Sequence, residues 1–430
     1  MEQVQKSRLH SVIFLWASLL VFVFGGRMYT TDALAQYEVA GSFVGQRSFM
    51  TVSGDYGWTV TGTRPGLFVP HGAGFSILLI PAALAGKFMG LNGGKIASAL
   101  INSGFSLALV GFWYASALKK YSDVSIPRFI AIAICGMVLV YGKMTFDVTA
   151  AAAAGMAGFY FSLQGRMFAA GLCLGLAILV RTDSLLLLPL FWSDWKGMKK
   201  LALGLAPFVF LMLFLNLYRF GSPFLDGHGQ DPAIAIEPFK GGIPGLLLSP
   251  GKGLLYYAPL CVFALFFQKD WKLWTPFALS LVFHGMLHDW SGGTGWGPRF
   301  LFTTLPFLLL PLTRKDAGGK PFRIIAILGI VVCIPAFWSN PSLLEQASSA
   351  DLFGEATRNA VLWTYPSSPL VSAFSNFAEG TPDLFGAAMA TSIGIPVWTG
   401  ILAQFAAAAM LAAAGIHLLG KKSFAGKTLS

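Results

Sequence analysis

His71–Gly90, HGAGFSILLIPAALAGKFMG, decides how the rest of the chain is threaded. The part from 72 to 90 is apolar enough to cross a bilayer, yet glycines and a proline interrupt it. If it crosses, Lys119, Lys120 and Arg128 fall on the outer side. If it lies in the outer interface they fall inside, together with the later clusters Lys196/Lys199/Lys200, Lys269/Lys272, Arg314/Lys315/Lys320/Arg323 and Lys421/Lys422. All of these then share the side of Lys6 and Arg8, which is the bias that cytoplasmic loops carry. The charge pattern therefore reads 72–90 as an interfacial or re-entrant helix on the outer face.

This reading treats the chain as a membrane protein, and composition requires it. Of 430 residues, 55% are hydrophobic and 11% charged, with mean hydropathy +0.66, where soluble domains carry about 25% charge. The expected fold is all-α and polytopic, with about 12 transmembrane helices and juxtamembrane helices on the outer face. Candidate spans are 11–26, 97–118, 128–144, 148–164, 167–181, 184–195, 200–217, 253–267, 273–288, 300–313, 322–338 and 393–418. They form one multi-pass domain over 1–430, with outer loops at 27–96, 218–252 and 339–392 and both termini cytoplasmic. A net charge of +11 does not indicate nucleic acid, because the bases are scattered over short loops. Cys135, Cys173, Cys261 and Cys333 lie in apolar runs without CxxC spacing and read as small buried residues. The "ALAQ" at Ala33–Gln36 has the form of a signal cleavage site, but Arg27 and Asp32 intervene, so a retained first span is expected.

Most acidic residues then fall outside, and a few bases stay there against the rule: Lys143, Arg181, Arg219, Lys252 and Arg299, each near the outer end of a span. A bound anion would explain them. Four stretches gather the chemistry. Tyr29–Val44, YTTDALAQYEVAGSFV, reads as a surface helix with Asp32 and Gln36 on one face and Glu38 about 240° away; Asp32 either serves a substrate or caps its own helix. "YGKMTFD" puts Lys143 and Asp147 at the end of a span, and "VRTDSLLLLP" sets Arg181 and Asp183 between apolar runs, where they pair with each other or with Asp147 unless they act on a substrate. "LLLSPGKGLLYYAPL" places Lys252 before a span, suited to a phosphate but without a full Walker pattern. "HDWSGGTGWGPRFLFTTLPFLLLP" sets Trp296 among glycines and Arg299 at the next span, a surface suited to a sugar or a phosphate. His284 and His288 have i, i+4 metal spacing beside Asp289 but no identifiable third ligand. "DGHGQD" at 226–231 reads as a polar loop, and no cofactor is expected.

In this order the pieces resemble the GT-C superfamily of membrane glycosyltransferases, of the protein O-mannosyltransferase and aminoarabinose-transferase type. The motifs are an acidic helix after the first span, the "VPHGAG" turn and an acid at the end of the third span. The SPGKG and GWGPR motifs resemble a bacterial group of that class, and the resemblance covers roughly residues 8 to 315. It departs from the pattern in having Thr31 and Ala33 rather than acids beside Asp32, no Glu after the "TG" at 61–62, and Pro70-His71 in place of Pro-Pro. The resemblance implies transfer of a sugar from a polyprenyl-phosphate donor to a glycan, lipid or protein acceptor at the outer face of the inner membrane. Asp32 would be the general base, with Asp147 also catalytic. Arg299, Lys252, Arg219 and Arg181 would hold the phosphate, and Gln36, Tyr37, His71, Tyr256 and Trp296 would touch substrate. The rival readings are a transporter or flippase of an anionic or lipid-linked substrate, which expects charges near the bilayer midplane, and a non-catalytic relative, in which Asp32 is dispensable.

Overall fold

In the computed structural model, residues 2–56, 58–227, 241–267, 269–293, 295–339, 360–379 and 382–425 are described. Asp231, Glu237, Glu345, Asp351 and Glu355, and with them much of the segments 218–252 and 339–392 expected to be outer loops, lie outside these residues. Helices dominate. The first is α1 (Glu2–Val23), followed by α2 (Thr31–Phe43), and a small antiparallel sheet of β1 (Thr51–Val52), β2 (Val60–Thr61) and β3 (Leu67–Phe68) in the order β1-β3-β2.

The segment that decided the threading forms α3 (Ala73–Leu78) and the opening of α4 (Ile80–Lys120). Gly90, at φ 75°, leaves helical geometry and kinks α4 there. A positive φ suits glycine because it has no Cβ to collide with the carbonyl. Residues 80–89 thus form an arm that is bent away from the long span behind it. Phe88 and Met89 on this arm are exposed, as an apolar helix face against lipid would be.

The other long apolar helices are α1, α9 (Trp195–Phe220), α15 (Gly319–Trp338) and α18 (Val397–Ala425), which with α4 are long enough to cross a bilayer. At 1.5 Å per residue, the 26 residues of α9 extend about 39 Å. Phe210, Phe214, Ile324 and Ile327 point large apolar side chains outward, which hydrocarbon satisfies and water does not.

Several expected spans are broken, for local reasons. The 128–144 run divides into α5 (Ile126–Cys135) and α6 (Val138–Lys143) at Met137, whose φ is 62°. The runs at 148–164 and 167–181 form α7 (Asp147–Leu163) and α8 (Met167–Val180), while the next one coils as a 3-10 helix over Thr182–Phe191. After α10 (Gly242–Leu248), the 253–267 run is cut by Pro259 into α11 (Leu254–Tyr257) and α12 (Pro259–Leu265). The 300–313 run follows α13 (Trp271–Gly285) as 3-10 turns at Arg299–Thr304 and Leu310–Thr313 around α14 (Leu305–Leu309). Irregular backbone at membrane depth must be enclosed by protein, and Leu301 to Leu310 are all buried. Two further helices, α16 (Pro369–Glu379) and α17 (Phe385–Ser392), precede α18, which packs on α1.

One polar side chain stabilises the break that carries Lys143 and Asp147. Asn102, fully buried in α4, donates from Nδ2 to the carbonyls of Tyr141 (2.8 Å), Gly142 (3.2 Å) and Met144 (2.6 Å). These carbonyls end α6 and have no further helical partner. Asn102→Leu keeps the shape and removes the donor. The expected cost is about 1–3 kcal/mol, read as a lower thermal unfolding midpoint in detergent; an unchanged midpoint would deny Asn102 this role.

Candidate active site

Asp32 lies in the first turn of α2, and the capping question has a direct answer. Thr30 is the N-cap and its hydroxyl accepts from Ala33 N at 3.1 Å. The Asp32 carboxylate turns away from its own helix to Arg299, with Oδ2 2.6 Å from Nη1. His71 Nε2 stands 3.8 Å from the same oxygen.

Arg299 and His71 reach Asp32 from far along the chain, and the backbone explains how. Gly297, at φ 65°, and Pro298 turn the chain into the 3-10 segment that begins at Arg299. His71 follows β3, where its ring stacks on Trp58 at 4.8 Å and 18°. Arg219, near the end of α9, donates to the carbonyls of Val69 (2.7 Å) and His71 (3.1 Å) and to Asn216 Oδ1 (2.8 Å). Gly72 then presses on α8: a Cβ there would meet Val180 O at 2.4 Å, so any side chain would push the His71 turn away.

A second ion cluster centres on Arg181, directly after α8. Its guanidinium reaches Asp183 through Nε (3.1 Å) and Nη2 (2.8 Å), and Asp147 Oδ1 through Nη1 (3.1 Å). Asp183 Oδ2 also contacts His284 Nε2 at 3.1 Å. Gln36 Nε2 is 3.5 Å from Asp147 Oδ2, and its buried Oε1 has no partner among the described residues. Phe300 joins the two clusters: its ring lies 5.3 Å from the Arg299 guanidinium, 6.0 Å from that of Arg181, and 4.6 Å from the stacked His284 ring. Phe146 adds a second face, 5.0 Å from Arg299. Planar guanidiniums favour such stacking and keep N–H groups for an oxyanion.

Burial pushes the Asp32 carboxyl up, but the Arg299 charge and the His71 contact outweigh it and hold the group well below the usual carboxylate range. Asp32 is therefore ionised at neutral pH. Glu38, two residues before Ala40 on the other side of α2, is occupied elsewhere by Arg47 (2.8 Å) and by the Ser53 amide (2.6 Å) and hydroxyl (2.7 Å).

Of the residues singled out by sequence, Asp32, Gln36, His71, Asp147, Arg181 and Arg299 thus belong to one neighbourhood. Arg219 braces it through the His71 carbonyl, and the remaining side chains have the following partners. Lys252 is buried, with Nζ donating to the carbonyls of Gly293 (2.8 Å) and Gly295 (2.5 Å), where it braces the loop leading to Arg299. Arg219 borders a cleft of only about 10 Å³, room for one water. Tyr37 packs on α4, where its hydroxyl fills the space beside Gly86 and Gly94. Trp296 packs edge-on against Tyr257 at 5.2 Å and accepts through its carbonyl from Tyr141 Oη at 2.9 Å. Tyr256 bonds to the Tyr365 hydroxyl. Lys143 pairs with Asp383 (3.2 Å), not with Asp147.

The pairing of Arg181 with Asp183 and Asp147 is the one the sequence offered, whereas His284 is a member that sequence reasoning did not place here. A charged residue beside Arg181 in an apolar stretch was the available signal for Asp183. The i, i+4 spacing of His284 points to His288, but its Nδ1 meets Ser280 of its own helix and its Nε2 meets Asp183 of the 3-10 segment after α8. No group of three metal-ligating side chains occurs among the described residues.

No family model matches the sequence, and no curated protein matches it. Among solved structures, the chain is similar to ArnT from Cupriavidus metallidurans in the apo state: 15% identity, TM-score 0.52, covering 94% of this chain and 74% of ArnT. The structure of the same protein bound to undecaprenyl phosphate also matches, with 15% identity, TM-score 0.47 and coverage of 95% and 76%. The likeness is one of architecture: this chain is an all-α polytopic membrane protein that shares the fold of ArnT.

Proposed function

We propose that the protein transfers a sugar from a polyprenyl-phosphate donor to a cell-envelope acceptor at the outer face of the inner membrane, with inversion. The observation that carries this reading is the Asp32–Arg299 contact beside Arg181. It sets a carboxylate able to take a proton next to guanidiniums able to hold a phosphate, and both guanidiniums lie over the Phe300 ring. The fold is that of ArnT, a protein that has been solved with undecaprenyl phosphate, and a lipid-borne donor would need no nucleotide fold.

In this reading Asp32 accepts the proton of the acceptor hydroxyl as that oxygen attacks the anomeric carbon. The bond from the anomeric carbon to the phosphate oxygen breaks, and its electron pair leaves with the polyprenyl phosphate. Arg299 and Arg181 stabilise the charge that grows there. Asp147 and Asp183 orient Arg181 from both sides, and Gln36 Oε1 is placed to accept a hydrogen bond from a sugar or acceptor hydroxyl. The resting cluster pairs three carboxylates with two guanidiniums, so donor phosphate must take the place of Asp32 on Arg299. That exchange frees the carboxylate from its strongest cation and makes it a better base when substrate is present.

The test is the lipid pool of a deletion strain. Loss of the protein is expected to raise the amount of one polyprenyl-phosphate sugar in the membrane and to remove that sugar from an envelope glycan, lipid or protein. An unchanged set of lipid-linked sugars would contradict the reading.

A further inference from the structure

A second concentration of charge joins the turn after α1 to the start of α17, and it shares no residue with the Asp32–Arg299 and Arg181 clusters. Lys143 is fully buried; its ammonium donates to the carbonyls of Phe337 (2.9 Å) and Ser339 (3.2 Å) and contacts Asp383 Oδ2 at 3.2 Å. The Tyr29 hydroxyl donates to the same oxygen at 2.7 Å. Arg27 Nε lies 3.5 Å from Asp383 Oδ1. The group holds two cations against one carboxylate. Lys143 is enclosed, whereas the Arg27 side chain is 55% exposed, so the surplus positive charge is presented by Arg27.

The chain on either side of this group leads straight into an apolar cavity. Phe24, three residues before Arg27, and Phe385, two after Asp383, approach with ring centroids 5.6 Å apart, and both line a cavity of about 430 Å³ between α1, α4, α17 and α18. Leu20, Leu100, Met389 and Ala403 form much of the remaining wall. The polar groups on it are already used. Gln404 donates to the carbonyls of Val21 (2.7 Å), Phe22 (3.3 Å) and Phe24 (3.0 Å) and accepts from Gly386 N (2.7 Å). Ser103 donates to Gly142 O at 3.3 Å. The size is that of a ligand site, but the wall offers only apolar contact, so its occupant is a hydrocarbon chain. A chain that enters past Phe24 and Phe385 brings its headgroup to Arg27.

We infer that this cavity binds one acyl chain of an anionic glycerophospholipid, with the lipid phosphate resting on Arg27. A basic side chain at the mouth of an apolar pocket between spans attracts the phosphate of an anionic lipid whose chain fills the pocket. The lipid would bridge α1 and α4 to the C-terminal helix pair and does not depend on the transfer reaction proposed above.

The experiment is native mass spectrometry of the full-length protein from mild detergent, titrated with phosphatidylglycerol or phosphatidylcholine. One phosphatidylglycerol is expected to stay bound with an affinity about fivefold above phosphatidylcholine. Arg27→Gln, at an exposed position, is expected to erase that preference. Ala403→Phe, which fills the cavity, is expected to abolish retention of either lipid, and Leu100→Trp does the same from the opposite wall. Equal binding of the two lipids by the unaltered protein would overturn the inference, as would retention that survives both filling variants. Displacement of phosphatidylglycerol by undecaprenyl phosphate at equal concentration would overturn it too, by giving the cavity to a polyprenyl lipid.

Discussion

Asp32→Asn is expected to lower the rate of sugar transfer by about 10²–10⁴-fold, the range that positioned acid–base groups contribute, with folding and membrane insertion retained. The amide has nearly the shape of the carboxylate but cannot take the acceptor proton. The helix itself does not need Asp32, because Thr30 supplies the cap. Loss of activity therefore cannot be assigned to a frayed α2, and a thermal unfolding midpoint measured beside the initial rate separates the two effects. A variant that keeps more than about a tenth of the rate would remove Asp32 from the role of base.

Arg299→Gln is expected to act on two observables at once. The loss of one donor to a developing oxyanion typically costs about 10²–10³-fold in turnover, so donor use should fall by that order. The pH profile should also change, and its direction is fixed. In the unaltered protein, Arg299 and His71 hold the Asp32 carboxyl well below its ordinary range despite burial. Asp32 thus stays ionised down to strongly acidic pH, and the contact with Arg299 contributes stability that is present above about pH 4, the unfolded value, and is lost as pH falls through the lower folded value. Without Arg299 the burial remains and its main counterweight is gone, so the carboxyl rises. The acid limb of activity is then expected to move to higher pH, read from kcat/KM against pH. An acid limb that stays in place would mean that Arg299 does not govern Asp32.

The sequence carried the single residues better than their partnerships. Asp32, Asp147, Arg181 and Arg299 stood out because charges at the ends of apolar runs are costly and need a reason. Which charge meets which is a property of the tertiary fold: Arg299 lies 267 positions from Asp32, and no periodicity links them. Lys252 and Arg219 carried the same local signal as Arg299, yet their ammonium and guanidinium groups meet backbone carbonyls at turns. A basic residue at the end of a span reads alike whether it binds a ligand or braces a loop. Asn102 shows the converse: nothing in the local sequence singled it out, because the three carbonyls it caps at the end of α6 come to it only through the tertiary fold.

The helices show a similar division. The long spans were legible from hydropathy, and their existence is reflected in α1, α4, α9, α15 and α18. The broken runs were not, because breaks at Met137 and the 3-10 coiling of Thr182–Phe191 depend on neighbours that enclose the irregular backbone. The kink at Gly90 falls at the end of the segment that the charge pattern had set apart from the span after it.

The central claim is that donor phosphate and the Asp32 carboxylate compete for Arg299. Equilibrium binding of undecaprenyl phosphate to the purified protein, to Asp32→Asn and to Arg299→Gln tests it most directly. The expected result is tighter binding by Asp32→Asn than by the unaltered protein, because the competing carboxylate is gone, and weaker binding by Arg299→Gln. Equal affinity in all three proteins would contradict the account.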